Sequence, residues 1–160
     1  MRKRTGVVLI VIAVAVVFLG MAAVLIVTEV KAVTHKGTDM EPTIEPNETL
    51  FIHKRVFNLR RGDIVVFKYP LDQSRFYIKR IIGLPGEVIA IRTGQVFIDG
   101  QPHYEMYVDS RRNMSQRSTP EYKIPPGNYY VMGDNRDSSN DSRIWGPLPS
   151  ELIMGKVMFK

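Results

Sequence analysis

Residues 63–98 read DIVVFKYPLDQSRFYIKRIIGLPGEVIAIRTGQVFI, and this stretch decides the fold. Short runs rich in Ile, Val, Phe and Tyr alternate with Pro and Gly at close intervals, which is the pattern of strands joined by tight turns. It predicts strands over Asp63–Lys68, Phe76–Gly83, Val88–Arg92 and Gln95–Ile98. Leu84-Pro85-Gly86, Arg92-Thr93-Gly94 and Asp99-Gly100 supply the turns, because their residues fix φ or tolerate positive φ.

Working outward, the same grammar continues on both sides. Further strands are predicted over Glu29–His35, Thr49–His53, Tyr122–Ile124, Asn128–Met132 and Leu152–Phe159, with another turn at Pro125-Pro126-Gly127. Residues 101–120 lack a hydrophobic period and carry Asp109, Arg111, Arg112, Asn113 and Gln116; they read as a surface excursion and the most mobile part of the domain. The expectation is one mainly β, antiparallel domain over residues 28–160, large enough for a single core.

Before this domain the character changes. Val7 to Val27 contains no charged residue, and at ~1.5 Å per residue a helix of that length spans about 30 Å, the thickness of a hydrocarbon core. Residues 1–6 hold Arg2, Lys3 and Arg4, and cationic flanks stay on the cytoplasmic side. The sequence therefore predicts a single-pass anchor at 7–27, a cytoplasmic basic flank at 1–6 and a domain outside. A cleaved leader would have a shorter apolar region ending at small residues, and Thr28-Glu29-Val30-Lys31 is a poor exit of that kind.

The chain has a formal charge of +6, but setting aside the three basic residues of the flank leaves nineteen basic against sixteen acidic residues. That balance gives no reason to expect nucleic acid as a partner. Basic pairs such as Lys54-Arg55, Arg60-Arg61 and Arg111-Arg112 are able to rest on anionic lipid, and serve equally as solvated faces. Cysteine is absent. Disulfides, thiol catalysis and thiolate metal sites are thereby removed, and neither a metal nor a cofactor is expected.

Four segments stand out together: Gly37-Thr38-Asp39-Met40-Glu41-Pro42-Thr43, Arg61-Gly62-Asp63-Ile64-Val65-Val66-Phe67, Tyr77 through Glu87, and Gly133-Asp134-Asn135-Arg136 through Asp141-Ser142-Arg143-Ile144-Trp145-Gly146. In this order, behind an N-terminal anchor, they closely resemble the type I signal peptidases of bacteria, in the short form of Gram-positive organisms. The resemblance spans the chain and implies the signal-peptidase-like antiparallel β domain. It also implies an activity: a serine attacks the scissile carbonyl, an unprotonated lysine is the general base, and signal peptides are cut from exported preproteins at the outer face of the cytoplasmic membrane.

Residue by residue, the resemblance puts Lys79 at the base position. Desolvation makes an ammonium easier to deprotonate, which is why a buried lysine suits that task. In a strand Tyr77, Lys79 and Ile81 share one face, and Ile78 and Ile82 point to the other. Ser139 is implied to hydrogen-bond the lysine amine, with Asp134, Arg136, Asp141 and Arg143 as polar bracing and Asp141 facing Arg143. The backbone N–H groups of Gly37 and Asp39 are implied as the oxyanion hole, and Met40 and Trp145 as contacts with the membrane.

The nucleophile motif departs from the family. Its pattern is Gly-x-Ser-Met-x-Pro-Thr, and Asp39 stands where the serine is expected. A carboxylate there removes the nucleophile and, as an opposite charge, favours the ammonium form of Lys79. Thr38 points away from Lys79 if the strand alternation holds. Two readings follow: an impaired signal peptidase, or a non-catalytic binding or assembly protein for an exported or pilin-like subunit. Both place the site near the bilayer, because the eleven residues after Thr28, up to and including Asp39, reach no more than about 36 Å at ~3.3 Å each.

Overall fold

The computed structural model describes residues 12–18, 21, 29–54 and 58–159. The predicted anchor and its basic flank lie mostly outside them: residues 12–18 and 21 are helical, and among the described residues no helix is long and apolar enough to cross a membrane.

The described residues form eleven strands: β1 (Val30–Thr34), β2 (Thr49–His53), β3 (Ile64–Tyr69), β4 (Asp72–Gly83), β5 (Val88–Arg92), β6 (Gln95–Ile98), β7 (Gln101–His103), β8 (Thr119–Lys123), β9 (Asn128–Met132), β10 (Leu148–Pro149) and β11 (Ile153–Phe159). They build two antiparallel sheets, one in the order β1-β2-β11-β3-β4-β9-β10 and one in the order β7-β6-β5-β8. A four-residue helix, α1 (Ser142–Trp145), precedes β10.

The turn chemistry read from the sequence is realised in the small sheet. Thr93-Gly94 and Asp99-Gly100 all have positive φ, at 46°, 78°, 49° and 76°. They join Arg92 to Gln95 and Ile98 to Gln101 in register, and two successive positive-φ residues match the right-handed twist of the flanking strands.

Strands β7 and β10 and the first residues of β8 were not predicted. Each carries a proline, Pro102, Pro149 or Pro120, and each is an edge strand, the place where a missing N–H leaves no ladder bond unmade. Strand β4 starts at Asp72 rather than Phe76 because a bulge after Lys68 lets Tyr69 pair directly with Asp72.

Period-two alternation gives β3 and β4 two distinct faces. Val66 and Ile78 meet Met40, Ile44, Leu50 and Ile52 on one side, while Val65, Phe67 and Ile81 meet Val131 and Leu148 on the other. A third cluster, with Ile82, Ile89, Ile91 and Ile124, lies where the sheets meet. Met40 is fully buried. This corrects its expected membrane role: the turn after Asp39 folds back over β2, so a methionine that reads as exposed becomes core.

The excursion at 101–120 has no buried residue. Its backbone is fixed by ion pairs with distant residues, Arg136–Glu105 at 2.6 Å and Arg112–Glu41 at 2.7 Å, and by Asp137 accepting from the N–H groups of Met114 and Ser115. It braces the loop that carries the candidate site.

Ile81 of β4 is fully buried in the cluster with Val65, Phe67, Val131 and Leu148. Ile81→Ala is expected to cost about 2–5 kcal/mol of unfolding free energy in a denaturant titration of the full chain in detergent, and a loss under about 1 kcal/mol would contradict this core assignment.

Candidate functional site

The site is built from the middle of β4, the segment that follows β1, and the loop that follows β9. Lys79 sits on β4 opposite Val65, flanked on its own face by Tyr77 and Ile81. Its side chain is buried, and its Nζ lies 5.3 Å from the centre of the Tyr77 ring. Beyond Thr34 the chain leaves β1, and Asp39 turns inward to bring its carboxylate into direct contact with the Lys79 ammonium. Asp39 Oδ1 also lies 3.1 Å from His35 Nε2. One carboxylate thus stands between two nitrogen bases.

Burial drives the electrostatics. It lowers Lys79 from 10.5 to about 8, with Asp141 and Asp134 drawing it back up and Arg143 pressing it down. His35 is lowered as well, first by burial and then by the charge of Lys79. The Asp39 carboxylate acts on Lys79 in the opposite sense to burial, since an opposite charge in contact favours the ammonium.

A second layer fixes the backbone around Asp39. Asn135 donates its N–H to the Asp39 carbonyl at 3.1 Å and its side-chain amide to the Thr38 carbonyl at 3.0 Å. A Cβ on Gly133 would collide with the Asp39 carbonyl and with Ser139 Oγ, so only glycine admits this approach. Asp134 is fully buried and takes a fork from Arg80, at 2.9 and 2.6 Å, while Thr43 donates to the same carboxylate. Arg80 also lies over the Tyr107 ring, 3.9 Å from its centre. Arg136 donates to the Gly133 carbonyl at 3.0 Å.

Asp141 receives a two-pronged contact from Arg143, both bonds at 2.8 Å, and the N–H of Gly133 at 3.0 Å. Burial opposes its charge, yet the Arg143 fork prevails and holds the carboxyl below its ordinary range. Asp141, Arg143 and Asp134 thus lie close enough to act on the charge of Lys79, and Arg136 is tied to the same loop through Gly133. Ser139 differs from expectation: its buried Oγ makes no hydrogen bond of good geometry, to Lys79 or to any other described group. It lies toward Asp141 and helps keep that carboxylate ionised.

Thr38 is exposed, consistent with a hydroxyl directed away from Lys79. Neither Gly37 nor Asp39 donates its N–H to a backbone carbonyl among the described residues. The Asp39 carboxylate lies against Gly37, on the side that a side chain at that position would occupy. Trp145 is half-buried, with its ring centre 5.9 Å from that of Phe67 and 6.1 Å from that of Tyr69, so part of the ring packs on the core.

His35, Arg80 and Asn135 were not singled out by the sequence reading. His35 stood as an isolated histidine, and Arg80 and Asn135 sat unassigned within quoted motifs. A polar residue inside a run that must be buried was the available signal for Arg80, since a buried guanidinium demands a carboxylate partner.

A groove of about 520 Å³ ends at this cluster, walled by Val33 through Gly37 on one side and Arg75 through Ile78 on the other. Among the described residues no group of His, Asp and Glu is arranged to hold a metal.

Comparison with known proteins bears on this arrangement. A family model described as signal peptidase, peptidase S26, matches residues 6–160. Signal peptidase I of Leptolyngbya laminosa is 36% identical over 137 residues, covering 76% of this chain and 63% of its own length. Signal peptidase I V of Bacillus subtilis is 35% identical over 136 residues, covering 76% of this chain and 80% of its own length. A crystal structure of a signal peptidase I from Enterococcus faecalis is 32% identical, with a TM-score of 0.55, and the match covers 65% of this chain and 99% of that one. The chain thus spans under two thirds of the Leptolyngbya relative.

Because folding holds Lys79 below 10.5, the group opposes stability at neutral pH, and the opposition fades as pH rises from about 8 through 10.5. Removing the contacting carboxylate should push the amine lower still. Asp39→Ala is expected to move the Lys79 titration to lower pH in lysine side-chain NMR of the full chain, and an unmoved titration would show that the contact carries no electrostatic weight.

Proposed function

The chain belongs to the signal peptidase, peptidase S26 family, and on that premise we propose that it binds the signal peptides of exported preproteins at the outer face of the cytoplasmic membrane with hydrolysis impaired or lost. An N-terminal helix at residues 7–27 holds it there, amino terminus inside. The observation that carries this reading is the contact between Asp39 and Lys79 at the end of the groove.

Serine–lysine hydrolysis needs a hydroxyl to attack and a neutral amine to take its proton. Asp39 offers no hydroxyl, and its negative charge keeps the proton on Lys79. The carboxylate at position 39 therefore acts on nucleophile and base together.

Peptide binding makes none of these demands. An extended peptide between Val33–Gly37 and Arg75–Ile78 would gain main-chain hydrogen bonds from strand edges, with Val33, Phe76 and Ile78 setting the size of the side chains accepted. The second reading, a binding or assembly protein for an exported or pilin-like subunit, is favoured by the same contact, because a groove closed by an internal ion pair still holds a strand. Its partners are then exported subunits and the lipid bilayer, with no cofactor.

The test is a preprotein cleavage assay in lipid. The unaltered chain is expected to leave the preprotein intact, Asp39→Ser to cut it, and Lys79→Ala added to Asp39→Ser to abolish the cutting. Efficient cleavage by the unaltered chain that survives Thr38→Ala would overturn the proposal. Silence of the Asp39→Ser chain, with peptide still bound, would favour the second reading.

A further inference from the structure

Among the described residues, two strand edges of the large sheet stand open. Strand β1 ends the strand order and pairs with β2 alone. Strand β4 pairs with β9 only from Arg80 onward, so its first half has a ladder on the β3 side alone. Both edges wall the groove that ends at Asp39. A peptide strand laid between them has each wall as a direct neighbour at ~4.8 Å, and it sends alternate side chains to opposite faces of the sheet.

The two faces differ in chemistry. On the inner side Ile78 belongs to the cluster of Met40, Leu50 and Val66, Val33 packs against that cluster, and Phe76 shares the side of Ile78. On the outer side the walls carry charge. The alternation of β1 continues past its end, with Thr34 and Lys36 exposed and His35 buried. Across the gap Arg75 is exposed on the side of Tyr77, its guanidinium 5.4 Å from the centre of the Tyr77 ring and 5.8 Å from that of Tyr69. Those rings stack with centres 4.5 Å apart. A guanidinium lying over them is already restrained, so less freedom is lost when its fork meets a carboxylate. Among the described residues neither Lys36 nor Arg75 has an ion-pair partner. The acids nearby are engaged: Asp39 by Lys79 and His35, and Asp72 by the hydroxyl and N–H of Ser74, although it feels the charge of Arg75.

We propose that Lys36 and Arg75 make the groove selective for extended peptides with acidic side chains at the outward positions, those that alternate with the residues sized by Val33, Phe76 and Ile78. The inference rests on the peptide-binding reading and names the class of peptide the groove takes. An outward carboxylate lies between an ammonium on one wall and a guanidinium on the other, and long side chains reach it from both neighbouring strands. An outward lysine meets two like charges, which is how a groove rejects as well as accepts. Because both cations are exposed, their attraction is screened by salt.

The test measures fluorescence anisotropy on the full chain in nanodiscs of phosphatidylcholine, with dye-labelled, end-capped peptides that alternate alanine with glutamate, glutamine or lysine. A fourth peptide has the composition of the glutamate peptide but sets its acids side by side. The alternating glutamate peptide is expected to bind roughly fivefold more tightly than the glutamine peptide, as two exposed charge pairs allow, and the lysine peptide more weakly than either. Raised salt should erase the difference, as should Lys36→Gln combined with Arg75→Gln, and Lys36→Glu combined with Arg75→Glu should invert the order. Equal binding of the glutamate and glutamine peptides would overturn the inference and leave the groove a binding site. No binding of any of the four would remove the binding site and the inference with it. Selectivity that survives Lys36→Gln with Arg75→Gln, or that the side-by-side peptide shares in full, would also overturn it, since overall charge would then suffice. Loss of the preference when phosphatidylglycerol replaces part of the neutral lipid would give the two cations to headgroups and overturn it likewise.

Discussion

The contact between Asp39 and Lys79 is the constraint on which the functional reading depends. A lysine at the centre of β4 is sealed by Tyr77, Ile81 and the strand opposite, and an ammonium in such a place is costly without a counter-charge. Asp39 supplies one. The same burial that would make Lys79 a capable base in the presence of a hydroxyl makes it, in the presence of a carboxylate, half of an ion pair. Whether the site performs proton transfer or holds a fixed charge is decided by the chemistry of one side chain five residues past β1.

Keeping Asp39 in that position takes much of the surrounding structure. Asn135 holds the carbonyls of Thr38 and Asp39, Gly133 lets the two loops touch, and Asp134 and Asp141 are each locked by an arginine. Glu105 then locks Arg136 from the segment that had read as a loose excursion. Three carboxylate–guanidinium pairs thus lie behind one loop. Buried pairs add little stability over apolar packing, but removing one partner strands the other, so they fix geometry more than they add binding energy. None of these scaffold contacts passes through the side chain at position 39, so they do not depend on which residue stands there.

Much of the fold was legible in the sequence, and the exceptions share a physical origin. Strands β2, β5, β6 and β9 fall on their predicted bounds because each is a short run of apolar and β-branched residues closed by turn residues. The edge strands with Pro102, Pro120 and Pro149 were hidden, since proline argues against a strand unless it is known to lie at an edge. The order of residues 101–120 comes from charges that meet only in three dimensions. Met40 misled for a related reason: its burial is set by how the turn after Asp39 folds over Leu50 and Ile52, which no local period records. At the site, motif resemblance located Asp39, Lys79 and the polar braces, whereas His35 needed the structure.

The most direct measurement is a calorimetric titration of the unaltered full chain in lipid with a signal-peptide segment spanning its cleavage site, followed by mass spectrometry of the recovered peptide. Saturable binding, weakened by substitution of Phe76 and returning the peptide at its intact mass, is the expected result. Recovery of two fragments in stoichiometric turnover, or no binding at all, would contradict a groove that persists behind a disarmed site.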